Sequence, residues 1–149
     1  MFQRILVPTD GSALSTKAAA FALKVARSNR ARIVALHVIP CYTPAAYAEG
    51  FVPYAELYSS TEYRRAAEKY ALPMLDRIAK RAKAAKVSCE VACTMAESPW
   101  KGITTEARKR GCDLIVMASH GRSGLKSLLL GSETSKVLAH SRTPVLVTR

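Results

Sequence analysis

Apolar residues in this chain follow two rhythms that alternate along its length. Ile5-Leu6-Val7, Ile33-Val34-Ala35-Leu36, Leu114-Ile115-Val116-Met117 and Val145-Leu146-Val147 are unbroken apolar runs of strand length. An unbroken run suits a strand covered on both faces, whereas a strand with one wet face alternates. Between the runs the apolar positions are three and four residues apart. Ala18, Ala22, Val25 and Ala26 make one such stripe; Ala67, Ala71, Met74, Leu75, Ile78, Ala82 and Ala85 make a longer one. That spacing lines one side of a helix. The pattern predicts strands at 2–8, 32–39, 87–95, 113–118 and 143–148, and helices at 15–29, 59–85, 99–110 and 132–140.

Breakers and caps punctuate these elements. Thr9-Asp10-Gly11-Ser12 reads as a turn after the first strand, and Pro40 ends the second. A loop with Pro44, Gly50 and Pro53 then runs to about Leu57. Pro73 falls inside the long helical pattern and should kink or divide it, since it removes a donor and crowds the preceding turn. Ser98-Pro99 is a hydroxyl cap followed by proline at the first helical position, and Gly111 closes the same helix. Strands alternating with helices give a single α/β domain over residues 1–149, an open five-stranded parallel sheet with helices on both faces. Ligands of such sheets sit beyond the carboxyl ends of the strands, where chain order reverses. The loops near Asp10 and near Gly121 are therefore the places to look.

Composition narrows the classes. Of 149 residues 49% are hydrophobic and 23% charged, a globular profile. The net charge of +12 favours anionic partners at long range without choosing among them. No signal-peptide pattern opens the chain, and its longest uncharged stretch, 33–48, is broken by Pro40 and Pro44; the expectation is a cytoplasmic protein without a membrane span. Cys41, Cys89, Cys93 and Cys112 show no metal-type pairing and read as free, mostly buried thiols. Lys80, Arg81, Lys83 and Lys86 gather at the end of the long helix, where they complement its dipole.

The segment "HGRSGLKSLLLGSET", 120–134, concentrates glycine, hydroxyl and basic residues. It is not a Walker A loop, because Leu125 stands between Gly124 and Lys126-Ser127. It lacks a dinucleotide glycine triplet and a nucleophile elbow. His37, His120 and His140 are too scattered for a zinc signature. What remains is Gly121, nine intervening residues, and Gly131-Ser132 opening a helix. Gly131 permits close backbone approach, and the first-turn amides of Ser132, Glu133 and Thr134 form an anion site. Arg122 and Lys126 can add charge. Taken singly, Asp10-Gly11-Ser12 is an ordinary turn and cap and Gly131-Ser132 an ordinary helix start; their pairing at two neighbouring strand ends favours a nucleotide.

"ILVPTDGS", "LHV", "DLIVMASHGRSGLKSLLLGSET" and "TPVLVTR" together resemble the universal stress protein family, in its nucleotide-binding branch. The likeness extends from Ile5 to Arg149 and is weakest from Cys41 to about Lys86. That branch carries G-x2-G-x9-G-[ST]; Gly121, Gly131 and Ser132 match it, while Ala118 replaces the first glycine and adds a methyl near the expected ribose. The resemblance implies a Rossmann-like sheet of the adenine nucleotide alpha hydrolase type, in strand order 3-2-1-4-5. It also implies a site for ATP or another adenine nucleotide, with Mg²⁺ bridging phosphates. Pro8, Thr9 and Asp10 would border the nucleotide, with Asp10 accepting from ribose hydroxyls. Val38 and Met117 would wall the adenine. Ala118 and Gly121 would line the ribose and α-phosphate, and Arg122, Gly131, Ser132, Glu133 and Thr134 would surround the phosphates. A homodimer through the last strand, with Thr143, Val145 and Val147 in the contact, is implied as well.

The leading expectation is an ATP-binding protein that senses or signals stress or energy state, with at most slow hydrolysis, since no base is paired with Arg122 and Lys126; Glu133 and His120 are only guesses for that role. The alternative is a nucleotide-free structural or interaction protein of the same fold. A nucleic-acid binder ranks last, for want of a recognisable aromatic-basic module. Trp100 is assigned to packing by default. Tyr42, Tyr47, Tyr54, Tyr58 and Tyr63 cluster about the variable loop, as a lid, an interface or a cover for the sheet.

Overall fold

The apolar run near the amino terminus becomes the middle of a sheet. In a computed structural model that describes residues 1–41, 60–121 and 130–149, β1 (Arg4–Pro8) lies between β2 (Arg32–Pro40) and β4 (Leu114–Ala118). With β3 (Cys89–Ala96) and β5 (Val145–Thr148) at the edges, the strand order is β3-β2-β1-β4-β5, and every pairing is parallel. The register places Ile5 against Ile33 on one side and Leu114 on the other. Chain order reverses between β1 and β4, so the crevice at their carboxyl ends is the switch point of the sheet.

Consecutive strand residues face opposite sides, and along the three central strands both sides are largely buried. Ile5, Val7, Ile33, Ala35, Leu114 and Val116 join one cluster with Ala19, Ala22, Leu23 and Ala26 of α1 (Ala13–Asn29) and Ala71, Met74, Leu75, Ile78 and Ala82 of α2 (Ser60–Ala84). Leu6, Val34, Leu36, Val38, Ile115 and Met117 join the other with Ile103 and Ala107 of α3 (Pro99–Lys109) and Val137 of α4 (Ser132–His140). Each fully buried Ile, Leu or Val contributes about 1.5–3 kcal/mol over an exposed one, which explains why the runs contain no polar interruption.

Local chemistry sets the ends. Ser12 caps α1, its hydroxyl accepting from the Ser15 amide at 3.1 Å. Gly111, at φ +61°, closes α3 as the sequence predicts. At the foot of the sheet Asp113 accepts from the amides of Gln3 and Arg4, at 2.7 and 3.1 Å, and so fixes the start of β1.

Three expectations need correction. Of the two outcomes expected at Pro73, a kink or a division, the division is not seen: the second helix is assigned as one element from Ser60 to Ala84, and the Arg77 side chain donates to the Pro73 carbonyl at 3.2 Å. Ser98 makes no side-chain cap on α3. Its hydroxyl is buried without a partner among the described residues, and the cap comes instead from Glu133, 33 residues away, whose carboxylate accepts from the Trp100 amide at 2.8 Å. The thiols are free, but Cys112 alone is buried and the other three are half-buried. Burial pushes the Cys112 thiol up to about 11. Cys89 and Cys93 both pack against the α1–α2 cluster. The loop segment 42–59, with Tyr42, Tyr47, Tyr54 and Tyr58, lies outside the described residues; Tyr63 stands in the first turn of α2 and donates its hydroxyl to the Pro40 carbonyl at 2.9 Å.

Candidate functional site

The crevice is built from the carboxyl ends of β1, β2 and β4 and the start of α4. Beyond β1 the chain turns through Thr9 and Asp10 into α1. Thr9 is buried and its polar atoms are all engaged. Its amide donates to Leu36 at 2.8 Å, its carbonyl bonds His37 Nδ1 at 2.8 Å, and its hydroxyl meets Ser15 Oγ and the Gly11 amide, each at 3.1 Å. Gly11 takes φ +79°, a conformation open to glycine and strained for other residues. Asp10 Oδ1 accepts from the Ser12 amide at 3.0 Å, so the carboxylate is held in a turn of its own making.

Two glycines bring the fourth strand's exit onto this turn. A β-carbon built on Gly121 would stand 2.7 Å from Asp10 Oδ2. The Asp10 carboxylate therefore lies directly over the Gly121 backbone, although the two are 111 residues apart in the chain. A β-carbon on Gly131 would stand 3.1 Å from the Ser119 carbonyl oxygen and 3.3 Å from His120 Cα. The Gly131 amide donates to that same Ser119 carbonyl at 2.8 Å. Gly131 thus presses backbone to backbone against the strand exit and opens α4 with no side-chain cap. A helix start left in that state points its first-turn amides and the positive end of its dipole outward.

The remaining predicted residues fall into distinct places. Pro8 ends β1 and is buried; Ala118 ends β4, and its carbonyl accepts from the buried Thr134 hydroxyl at 3.0 Å. Thr134 therefore pins α4 to β4 rather than presenting its hydroxyl outward. Val38 and Met117 are buried in the α3–α4 cluster, where the Val38 methyls press on Gly102 of α3. Ser132 is exposed at the helix start. Glu133 turns toward α3, holding the Trp100 amide and meeting Lys136 at 3.2 Å. Trp100 packs, as expected, half-buried and stacked on His140 at 4.6 Å between ring centres. His120 Nδ1 is 3.1 Å from Ser119 Oγ, a local contact at the turn. Arg122 and Lys126 lie outside the described residues.

Sequence reasoning missed Ser119, buried at the strand exit, whose carbonyl receives Gly131. It also missed Gly102, though a glycine in the middle of a helix is itself a signal of close approach. Among the described residues no group of three His, Cys, Asp or Glu is placed to hold a metal ion, and no helix is long and apolar enough to cross a membrane.

The whole chain, residues 1–149, matches the model of the universal stress protein family. The universal stress protein YxiE of Bacillus subtilis is 33% identical over 149 residues, spanning all of both chains. Among solved structures, the protein MJ0577 of Methanocaldococcus jannaschii superposes with a TM-score of 0.78 at 28% identity, over 99% of this chain and 96% of that one. A universal stress protein solved in complex with cAMP superposes with a TM-score of 0.68 at 26% identity, over 99% and 97%. The family match and the sequence likeness both run the full length, the superpositions agree with them, and the chain belongs to the universal stress protein family.

Proposed function

We propose that this protein binds an adenine nucleotide, ATP in the first instance, across the crevice bordered by Asp10, Gly121 and the Gly131-Ser132 helix start. The approach of Gly121 to the Asp10 carboxylate carries the reading: a cradle that one methyl group would fill, beside an uncapped helix start. Asp10 is an acceptor suited to ribose hydroxyls. The Gly131-Ser132 helix start is suited to phosphate, with Arg122 as a further cation. Val38 and Met117 offer an apolar wall for the base, and Ala118 with Pro8 and Thr9 the floor. Glu133 and Thr134 support the start of α4 and contribute their backbone rather than their side chains. Mg²⁺ would enter with the phosphates, which it prefers to an all-protein cage. The cAMP complex of a relative supports adenine as the base. The same reading extends to a cytoplasmic sensor of stress or energy state, assembled as a homodimer through β5. Hydrolysis, if any, would be slow.

The test is direct. Protein purified and denatured should release an adenine nucleotide detectable by chromatography, and nucleotide-stripped protein should bind ATP saturably in magnesium. Asp10→Asn should weaken that binding about tenfold, or ~1.4 kcal/mol. A stripped, folded protein that shows no saturable binding at millimolar ATP would overturn the reading in favour of a nucleotide-free interaction protein.

A further inference from the structure

The positive charge of this chain is not spread evenly. Segments 13–32 and 73–88, which form α1, the end of α2 and the turns below them, hold ten Lys or Arg and one acid, Asp76. They supply nine of the twelve net charges. Elsewhere ion pairs are common: Arg64 with Glu68, Lys101 with Glu97, Arg110 with Glu90 and Glu106, Lys136 with Glu133. Within the ten, and among the described residues, only Lys80 is paired, with Asp76.

Four of these cations converge. At the foot of the sheet, opposite the nucleotide crevice, an open cavity of about 500 Å³ lies between the ends of α1 and α2. Arg27, Arg30, Arg32 and Lys86 line it, with Ser88 beside them and no acidic residue. All four are exposed. Helix-end dipoles do not account for this set. Two helix carboxyl ends present about one negative charge between them, against four cations, and Arg32 belongs to a strand.

The backbone gives a second, independent indication. Both helices end through a left-handed residue, Arg30 at φ 55° and Lys86 at φ 57°. The left-handed cap is a position where glycine is at ease and a side-chain-bearing residue is strained. Here both places hold a long cation, and both cations face the same cavity. Strain kept at two matching positions is a mark of use.

We infer that this cavity is a second anion site, for a compact polyphosphorylated ligand. Its volume is that of a small-molecule pocket rather than a flat track. The nearby amides are already engaged: Arg30 and Ala31 with the Ala26 carbonyl, Lys86 with Lys83, Val87 with Ala82. Recognition therefore falls to the side chains. Guanidinium forks match phosphate oxygens two at a time, and Lys86 adds a point charge.

Tripolyphosphate is the probe, titrated into the full-length protein at physiological salt and followed by backbone amide NMR. Saturable shifts are expected within 27–32 and 84–88, whatever tripolyphosphate does at Gly121 and Gly131. The double variant Arg30→Gly, Lys86→Gly removes two charges and relieves two strained backbones. It should melt at the same temperature or higher, bind tripolyphosphate at least tenfold more weakly at this cavity, and retain ATP affinity in the upper crevice. Shifts confined to Gly121 and Gly131, or an unchanged affinity in the double variant, would overturn the inference. So would a duplex oligonucleotide that shifts the 27–32 and 84–88 amides where tripolyphosphate does not, which would assign the patch to nucleic acid.

Discussion

In the proposed site Gly121 acts through the space it leaves for the Asp10 carboxylate. Among the described residues a β-carbon there meets only the tip of a side chain, Asp10 Oδ2, which can rotate away. Gly121 is absent from the left-handed glycines, so alanine suits its backbone. Gly121→Ala should therefore cost the fold less than about 0.5 kcal/mol while swinging the carboxylate out of the crevice. Calorimetric titration should show ATP affinity about tenfold weaker, ~1.4 kcal/mol, with an unaltered melting temperature. Unchanged affinity in the folded variant would separate Asp10 from the nucleotide site. The sequence could present Gly121 and Asp10 as two candidates at two strand ends. It could not present their contact, because that contact is made by the sheet and not by the local chain. Glu133 shows the reverse: read locally it belongs to a phosphate-facing first turn, yet a helix amide from a distant segment claims its carboxylate.

At the scale of elements, apolar runs and helical stripes were legible because burial on both faces leaves no room for polar exceptions. The reversal of order between β1 and β4 was legible only through family likeness, since an alternating βα pattern is compatible with several strand orders. The carboxyl ends of α1 and α2 and the start of α3 fell within a residue of the positions expected, but their chemistry was not legible: the α3 cap comes from Glu133 rather than Ser98, and Arg30 and Lys86 are left-handed without being glycine. Gly102 joins two elements in one contact. A β-carbon there would lie 2.6 and 2.9 Å from the two methyls of Val38 and 3.2 Å from Ala96 Cβ. Valine is buried here and stiff about its first torsion, so it cannot step aside easily. Gly102→Ala should gain about 1 kcal/mol of helix propensity and lose more to overpacking, about 1–3 kcal/mol, with a net fall in the urea midpoint. A raised midpoint would show that α3 can slide away from β2 at little cost.

For the whole molecule the open question is the edge formed by β5. The Pro144 and Thr148 carbonyls accept from Ile115 and Ser119 of the β4 segment, at 2.9 and 2.8 Å. Backbone groups alternate along a strand, so the amides and carbonyls of Val145 and Val147 point away from β4, to a side where no further strand is paired among the described residues. An apolar edge strand whose donors and acceptors face outward invites a second strand. Two copies meeting antiparallel across a two-fold axis would satisfy both edges at once and bring Thr143, Val145 and Val147 of each into the contact. The molecular charge works against this, since each copy carries +12; salt screens that repulsion, so association should strengthen as ionic strength rises toward physiological values. Light scattering at micromolar protein is expected to give a dimer. Val147→Pro removes one outward donor and no bond to β4, a change that an edge strand tolerates. It should yield a monomer with an unchanged far-ultraviolet dichroism spectrum. A wild-type monomer at physiological salt, or a proline variant that still dimerises, would move the interface off this strand.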